Sequence, residues 1–408
     1  MRLKRKTAWL IVLLFLLQIC PAGGQDRNEN AIKPFTISVS DSELRDLSER
    51  LTRARLPEQL EGTGWDYGVE LDYFKNLIAY WRDKYDWRIH EKELNGFNQF
   101  ITEIDGLPIH FIHVKSKEKN AMPLVLVHGW PGSVYEFHKI IGLLTDPVAH
   151  GGKAEDAFNV VCPSLPGFGF SGKPRDPGWS VSRMSEVVAK LMERLGYTRY
   201  GAQGGDWGSA VANWLGTWDT EHVIGVHLNM AAAGQPKKAD PFEGVTSEEK
   251  ERMEQRNKEI ENQRAYMAIQ GTRPQTIGYA LNDSPVGLAA WIIDKFWAWS
   301  DHRGNLENSF TKDELLTNIM IYWVTQTATS SARIYYERQV YTGGRKAGKA
   351  PVGVALFPKE ISVPPRKWVE AQYNLVHWTV MPRGGHFAAF EQPELLACDI
   401  RDFFRAYR

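Results

Sequence analysis

Gly204, Gly205, Asp206, Trp207 and Gly208 follow a short segment with strand character, Arg199 to Gln203, and precede a run, Ser209 to Leu215, that reads as a helix. Glycines stand two residues before and two residues after Asp206. A sharp strand-to-helix turn needs that spacing when its central residue is held in a strained conformation with its side chain standing clear. The layout is a nucleophile elbow with a carboxylate in the place usually taken by a serine hydroxyl. A simple surface turn built from Gly and Asp is the bland alternative, so the rest of the chain has to decide.

The swap changes the chemistry open to the site. A serine that attacked a saturated carbon, such as a strained epoxide carbon, would leave an ether that no ordinary hydrolytic step releases. A carboxylate leaves an ester, and water can then attack the ester carbonyl, dividing one difficult displacement into two easier ones. With a reference pKa of about 3.9, aspartate is already ionised at neutral pH and needs no base of its own. A base elsewhere in the chain is left free to activate water.

Composition sets broad limits. The 408 residues suffice for a large core, and Lys plus Arg equals Asp plus Glu at 49 each, so no global field attracts nucleic acid or an anionic membrane. A small-molecule partner follows. Met1 to Lys6 carries four basic side chains, Ala8 to Ile19 is almost wholly apolar, and Ala22, Gly23 and Gly24 supply small residues at a cleavage point. Residues 1–24 therefore read as a signal peptide, with a secreted or periplasmic destination expected and an uncleaved anchor at residues 8–20 as the alternative. Beyond it only Cys162 and Cys398 remain, and both are expected to be buried free thiols.

Residues 35–100 read as an arm wrapping the main domain. Ser40 and Glu43 form a capping box ahead of Leu44, Leu47 and Leu51, and Leu71, Phe74, Ile78, Trp81 and Tyr85 make a second helical stripe. From 101 to 233 strands and helices alternate. Phe100 to Ile104 and Ile109 to Val114 flank Asp105 and Gly106 as a hairpin, and the apolar runs at Pro123 to Val127, Phe158 to Cys162 and Val223 to Asn229 suit parallel strands buried on both faces. The pattern predicts an α/β fold with a mostly parallel sheet covered by helices. Residues 234–348 interrupt it as a helical lid. Thr246 and Glu249 cap a charged helix running towards Tyr266, a stretch punctuated by glycine and proline follows, and one long helix is expected from Asp313 to about Arg338. The core resumes over 349–408 with strands at Val352 to Leu356 and Leu375 to Val380 and a closing helix from Pro393 to Tyr407.

Four further groups would complete the chemistry. An oxyanion needs N–H donors, and such turns use the residue after the nucleophile plus one from an earlier loop. Those are Trp207 and, because Pro131 has no N–H, Trp130 in the His128 to Gly132 loop. His386, within Gly384, Gly385, His386 and Phe387, is the candidate base. Glu360 is the acid placed to orient it, with Asp399 and Glu391 as rivals beyond the histidine. Opening an epoxide also requires a neutral acid, and tyrosine suits this. Composition offers Tyr266, Tyr279, Tyr322, Tyr335, Tyr336 and Tyr341 without choosing among them. Metal-ligand spacing is absent. Gly167, Gly169 and Gly172 match a dinucleotide-binding spacing, but Lys173 to Pro177 follow where a helix would have to open, so no cofactor is expected.

The elbow at Asp206, the Trp130 loop, the segment Leu281 to Gly287 and Arg383, Gly384, Gly385, His386, Phe387 together resemble the microsomal-type epoxide hydrolases of the α/β-hydrolase superfamily. The likeness runs from Phe35 to Arg408. It implies an α/β-hydrolase fold with a helical lid and an N-terminal arm, and an enzyme that needs no cofactor and takes a small apolar epoxide and water. It also implies Asp206 as nucleophile, His386 as base, Glu360 as its partner, and Tyr266 and Tyr335 as donors to the epoxide oxygen. Tyr336 adjoins Tyr335, and neighbouring helical residues point about 100° apart, so only one of the two can face the site. Animal members of the family carry a membrane anchor, whereas the leader here reads as cleavable, so membrane association is not favoured. A haloalkane dehalogenase would share the Asp, His and acid logic but has no use for paired lid tyrosines.

Overall fold

A computed structural model describes residues 30–340 and 349–408; the expected leader at 1–24 and Tyr341 lie outside them. The apolar runs become the strands of one sheet. These are β1 (Lys33–Pro34), β2 (Gln99–Ile104), β3 (Leu107–Val114), β4 (Met122–Val127), β5 (Phe158–Pro163), β6 (Tyr200–Gly204), β7 (Val223–Leu228), β8 (Val352–Leu356) and β9 (Leu375–Val380). Their spatial order is β1-β2-β3-β5-β4-β6-β7-β8-β9. β2 and β3 form the expected hairpin, turning at Asp105 (φ 53°) and Gly106 (φ 74°), the left-handed pair that a two-residue loop between twisted strands prefers. β3 meets β5 antiparallel, and every pairing from β5 to β9 is parallel.

Period-two alternation along β4 divides the interior. Val125 and Val127 belong to the core beneath helices Val181–Arg194 and Asp206–Trp218, while Leu124 and Leu126 belong to the core beneath Ile140–Thr145 and Pro393–Phe404. All four are fully buried, which is why this strand reads as a continuous apolar run. The fold is an α/β hydrolase.

Several elements differ from expectation. The arm contains a third helix, Trp87–Leu94, capped by Asp86, and the second helix stops at Asp83 before Tyr85. Residues just ahead of the arm add β1 to the sheet, and the arm itself ties down the lid: Tyr80 donates to Asp313 at 2.9 Å, and the Tyr85 and Thr317 hydroxyls lie 2.9 Å apart. The glycine- and proline-punctuated part of the lid is helical, as Ala265–Thr272, Pro274–Asp283 and Pro285–Trp299. Pro274 and Pro285 open their helices, where a missing N–H costs nothing, so they mark starts and not breaks.

The expected single helix from Asp313 is two, Lys312–Thr325 and Ala328–Val340. Gln326 ends the first in a left-handed conformation (φ 51°), with its N–H on Trp323 O and the Thr327 N–H on Tyr322 O. A glycine usually marks such an ending, and none stands here. Cys162 is buried as expected, but Cys398 is exposed, on the outward side of the last helix. Among the described residues no helix is long and apolar enough to cross a membrane.

Candidate active site

Asp206 is the first residue of its helix and sits at φ 48°, a conformation that costs a non-glycine residue on the order of 1–3 kcal/mol and has to be enforced by its surroundings. Packing around the turn enforces it. A Cβ on Gly204 would lie 2.2 Å from Gly208 O, one on Gly208 1.8 Å from Val127 O, and one on Gly205 2.6 Å from the Asn229 side chain. Strand, turn and helix therefore approach more closely than any side chain allows.

The Asp206 carboxylate stands at the carboxyl ends of the parallel strands, where open α/β sheets bind ligands. Its Oδ1 accepts from Trp130 N–H at 2.7 Å, and its Oδ2 lies 3.4 Å from His386 Nε2. Trp130 is in the loop after β4 and is joined to Pro131 by a cis peptide bond. The lid pins that loop: Asn318 Nδ2 donates to Pro131 O at 2.8 Å and Tyr322 Oη to Gly132 O at 2.6 Å. Trp207, the other expected oxyanion donor, is in the first helical turn, where a backbone N–H has no intrahelical acceptor.

His386 is buried beyond β9, with its N–H on Trp299 O and its Nδ1 2.6 Å from Glu360 Oε1. Glu360 is fully buried just past β8. Arg256 in the lid holds its backbone, donating to Glu360 O at 2.9 Å and Lys359 O at 2.7 Å. The rival acids are engaged elsewhere, Asp399 with His227 and His377, Glu391 with the Asp301 and Phe387 N–H groups. Burial alone would disfavour an imidazolium at His386, but the Glu360 charge and the Asp206 hydrogen bond outweigh it and hold the ring well above the ordinary histidine range.

The tyrosines sort by place. Tyr279 and Tyr336 are 72% and 42% exposed, and Tyr322 serves Gly132. Tyr266 and Tyr335 are buried, with ring centroids 5.7 Å apart. Tyr266 stacks on Trp130 at 5.2 Å, and Tyr335 meets Trp207 edge-on at 4.8 Å. The Tyr335 hydroxyl and the Trp207 indole N–H are buried without a short hydrogen bond to any described residue, and the Tyr335 hydroxyl interacts with Trp207 and Tyr266. Burial, and then nearby groups that include Asp206, raise both tyrosines far above their usual range, so both hydroxyls stay protonated donors. Asp206, Trp207, Tyr266 and Tyr335 share a cavity of about 420 Å³ whose other walls include Val181, Met230, Met267 and Ile361. That size and apolar lining suit a small organic ligand.

Sequence reading missed Asn229, which packs under the elbow and accepts from Gln203 Nε2 at 2.8 Å. It also missed Arg256, which no pattern separates from the charged residues of its helix.

Residues 32–137 match the family model for the epoxide hydrolase N terminus, and 122–252 match that for the alpha/beta hydrolase fold. The chain is 43% identical to epoxide hydrolase 1 of Sus scrofa, over 94% of this chain and 90% of that protein. The structure superposes on the Aspergillus niger epoxide hydrolase with a TM-score of 0.84 at 34% identity, covering 93% of this chain and 97% of the other. The juvenile hormone epoxide hydrolase of Bombyx mori gives the same score at 34% identity, over 92% and 95%. The likeness thus runs along nearly the whole length, and the chain belongs to the microsomal-type epoxide hydrolases of the α/β-hydrolase superfamily.

Proposed function

We propose that this enzyme converts apolar epoxides to vicinal diols through a covalent ester on Asp206. The observation that carries the reading is a carboxylate, held at positive φ, that shares one apolar cavity with two buried and protonated tyrosine hydroxyls. Asp206 attacks one ring carbon while Tyr266 and Tyr335 donate to the oxygen that leaves it. The C–O bond breaks, the ester forms, and the new alkoxide, held by the two hydroxyls, takes up a proton from solvent, while the His386 imidazolium, deprived of the carboxylate charge, releases its own proton to solvent.

Ester formation also prepares the second step. Two of the influences that keep His386 protonated come from the Asp206 carboxylate, its hydrogen bond and its charge, and both disappear when Asp206 is esterified. The imidazole becomes a usable base at neutral pH, oriented by Glu360 at 2.6 Å. It takes a proton from water as the oxygen bonds to Asp206 Cγ. The resulting oxyanion lies beside the Trp130 and Trp207 N–H groups. Collapse releases the diol and restores the carboxylate and imidazolium, so each cycle consumes one epoxide and one water. A dehalogenase would share Asp206 and His386, but two neutral hydroxyls suit an oxygen leaving group.

Single turnover in ¹⁸O-labelled water tests this reading. The first diol should carry an unlabelled oxygen drawn from the protein, and the peptide containing Asp206 should gain the label. Label in the first diol with none in the protein means direct attack by water and ends the covalent route.

A further inference from the structure

A second, much smaller cavity, about 10 Å³, lies against Asp206 and His386, and Gly205, Asn229 and Glu136 also border it. Its lining and that of the large cavity have Asp206 alone in common. The aspartate therefore divides a large apolar chamber from a small one of mixed lining, in which Val127, Phe137, Ala388 and Ala389 stand beside the polar groups of Glu136, Asn229 and His386. A space of this volume accommodates about one water molecule.

Glu136 is the unexplained group. It lies in the short helix Val134–Phe137, capped by Ser133, and the buried side chains of Tyr135 and Phe137 flank it. Its carboxyl makes no hydrogen bond to another described residue, although it sits within electrostatic range of His386, Asp206 and Glu360. Loss of hydration raises it to about 8, even though the residue keeps partial exposure. Gly132 makes room for it: a Cβ there would fall 1.3 Å from Glu136 Oε1. The nearby His128 does not compete for a water, because its Nε2 accepts from Leu165 N–H and its Nδ1 meets Gly129 O.

We propose, on the basis of the two-step reading above, that Glu136 and His386 hold the hydrolytic water on the side of Asp206 turned away from the substrate chamber. One water hydrogen goes to His386 Nε2 as the base, and a carboxyl oxygen of Glu136 accepts the other. That fixes the water lone pair on Asp206 Cγ. One O–H bond breaks, one O–C bond forms, and Glu136 exchanges no proton. Substrate and water then reach the same carboxyl group from different chambers, so the hydroxyalkyl group of the ester does not block the second step.

Rapid-quench single turnover of an apolar epoxide such as styrene oxide separates ester formation from ester breakdown. In Glu136→Leu, ester formation should stay within about twofold of the parent protein while breakdown slows on the order of 10²-fold, a typical share for one positioned group in proton transfer. Glu136→Gln keeps an acceptor oxygen and should recover breakdown to within about tenfold. Gly132→Ala, which displaces the carboxyl, should slow breakdown as Leu does, and it serves as the test if Glu136→Leu fails to fold. Breakdown at the parental rate in both Glu136→Leu and Gly132→Ala overturns the proposal and leaves the covalent route standing. So does a Gln variant as slow as Leu, or equal slowing of both steps, which marks a structural role. No ester in the parent protein overturns the covalent route itself.

Discussion

Replacing Tyr335 with phenylalanine should lower activity and leave stability nearly unchanged. The hydroxyl is buried beside the Trp207 indole and the Tyr266 hydroxyl, without a short hydrogen bond to any described residue, and an ordinary intramolecular hydrogen bond contributes only about 0.5–1.5 kcal/mol net. Phenylalanine removes that oxygen alone and keeps the ring against Trp207 at 4.8 Å and Trp130 at 5.8 Å. Tyr335→Phe should therefore stay within about 1 kcal/mol of the parent in stability. Losing one preorganised donor to a developing oxyanion costs about 2.7–4 kcal/mol in comparable sites. With Tyr266 still in place, ester formation should slow by about 10²-fold, the lower end. Urea denaturation reads the first quantity and stopped-flow single turnover the second. A less stable variant with unchanged ester formation would show that the hydroxyl serves the packing and has no part in the chemistry.

Glu360→Gln keeps a hydrogen-bonding side chain beside His386 but removes the charge that helps hold a proton there. Ester should accumulate, breakdown should slow on the order of 10²–10⁴-fold, and the acid limb of its pH profile should move to lower pH; rapid quench across pH checks both. Gly208→Ala places a methyl group 1.8 Å from Val127 O and should cost roughly 3 kcal/mol or more, since backbone has to move; parental stability in urea would contradict the steric account of the elbow. Asp399 is raised by burial but lowered further by His227, Thr379 and His377, to about 2. With an unfolded value near 3.9, its stabilisation of about 2–3 kcal/mol is complete above about pH 5 and lost as pH falls through about 2. Asp399→Asn should flatten the stability profile over that window.

The parts of the fold that were legible in the sequence are those where one residue type is sterically or electrically required. Gly204 and Gly208 flag the elbow because nothing larger fits between Val127 O and the turn. The pairs Ser40 with Glu43 and Thr246 with Glu249 mark helix starts because each side chain satisfies a backbone N–H of the other's residue. Features that depend on distant packing left no local trace. Gln326 breaks a helix without glycine or proline, and Tyr335 is separated from Tyr336 only by which way the lid helix lies on the core. Arg256 and Glu136 are ordinary charged residues until the chain brings them to Glu360 and Asp206.

The central claim is that the substrate becomes bonded to Asp206. With the base removed, in His386→Asn, the bond should form and persist. After mixing with styrene oxide, the intact protein should gain the mass of one epoxide, located by peptide mapping on Asp206 and absent from a protein that also carries Asp206→Asn. An unchanged mass in a folded variant, or an adduct on any other residue, would contradict the account.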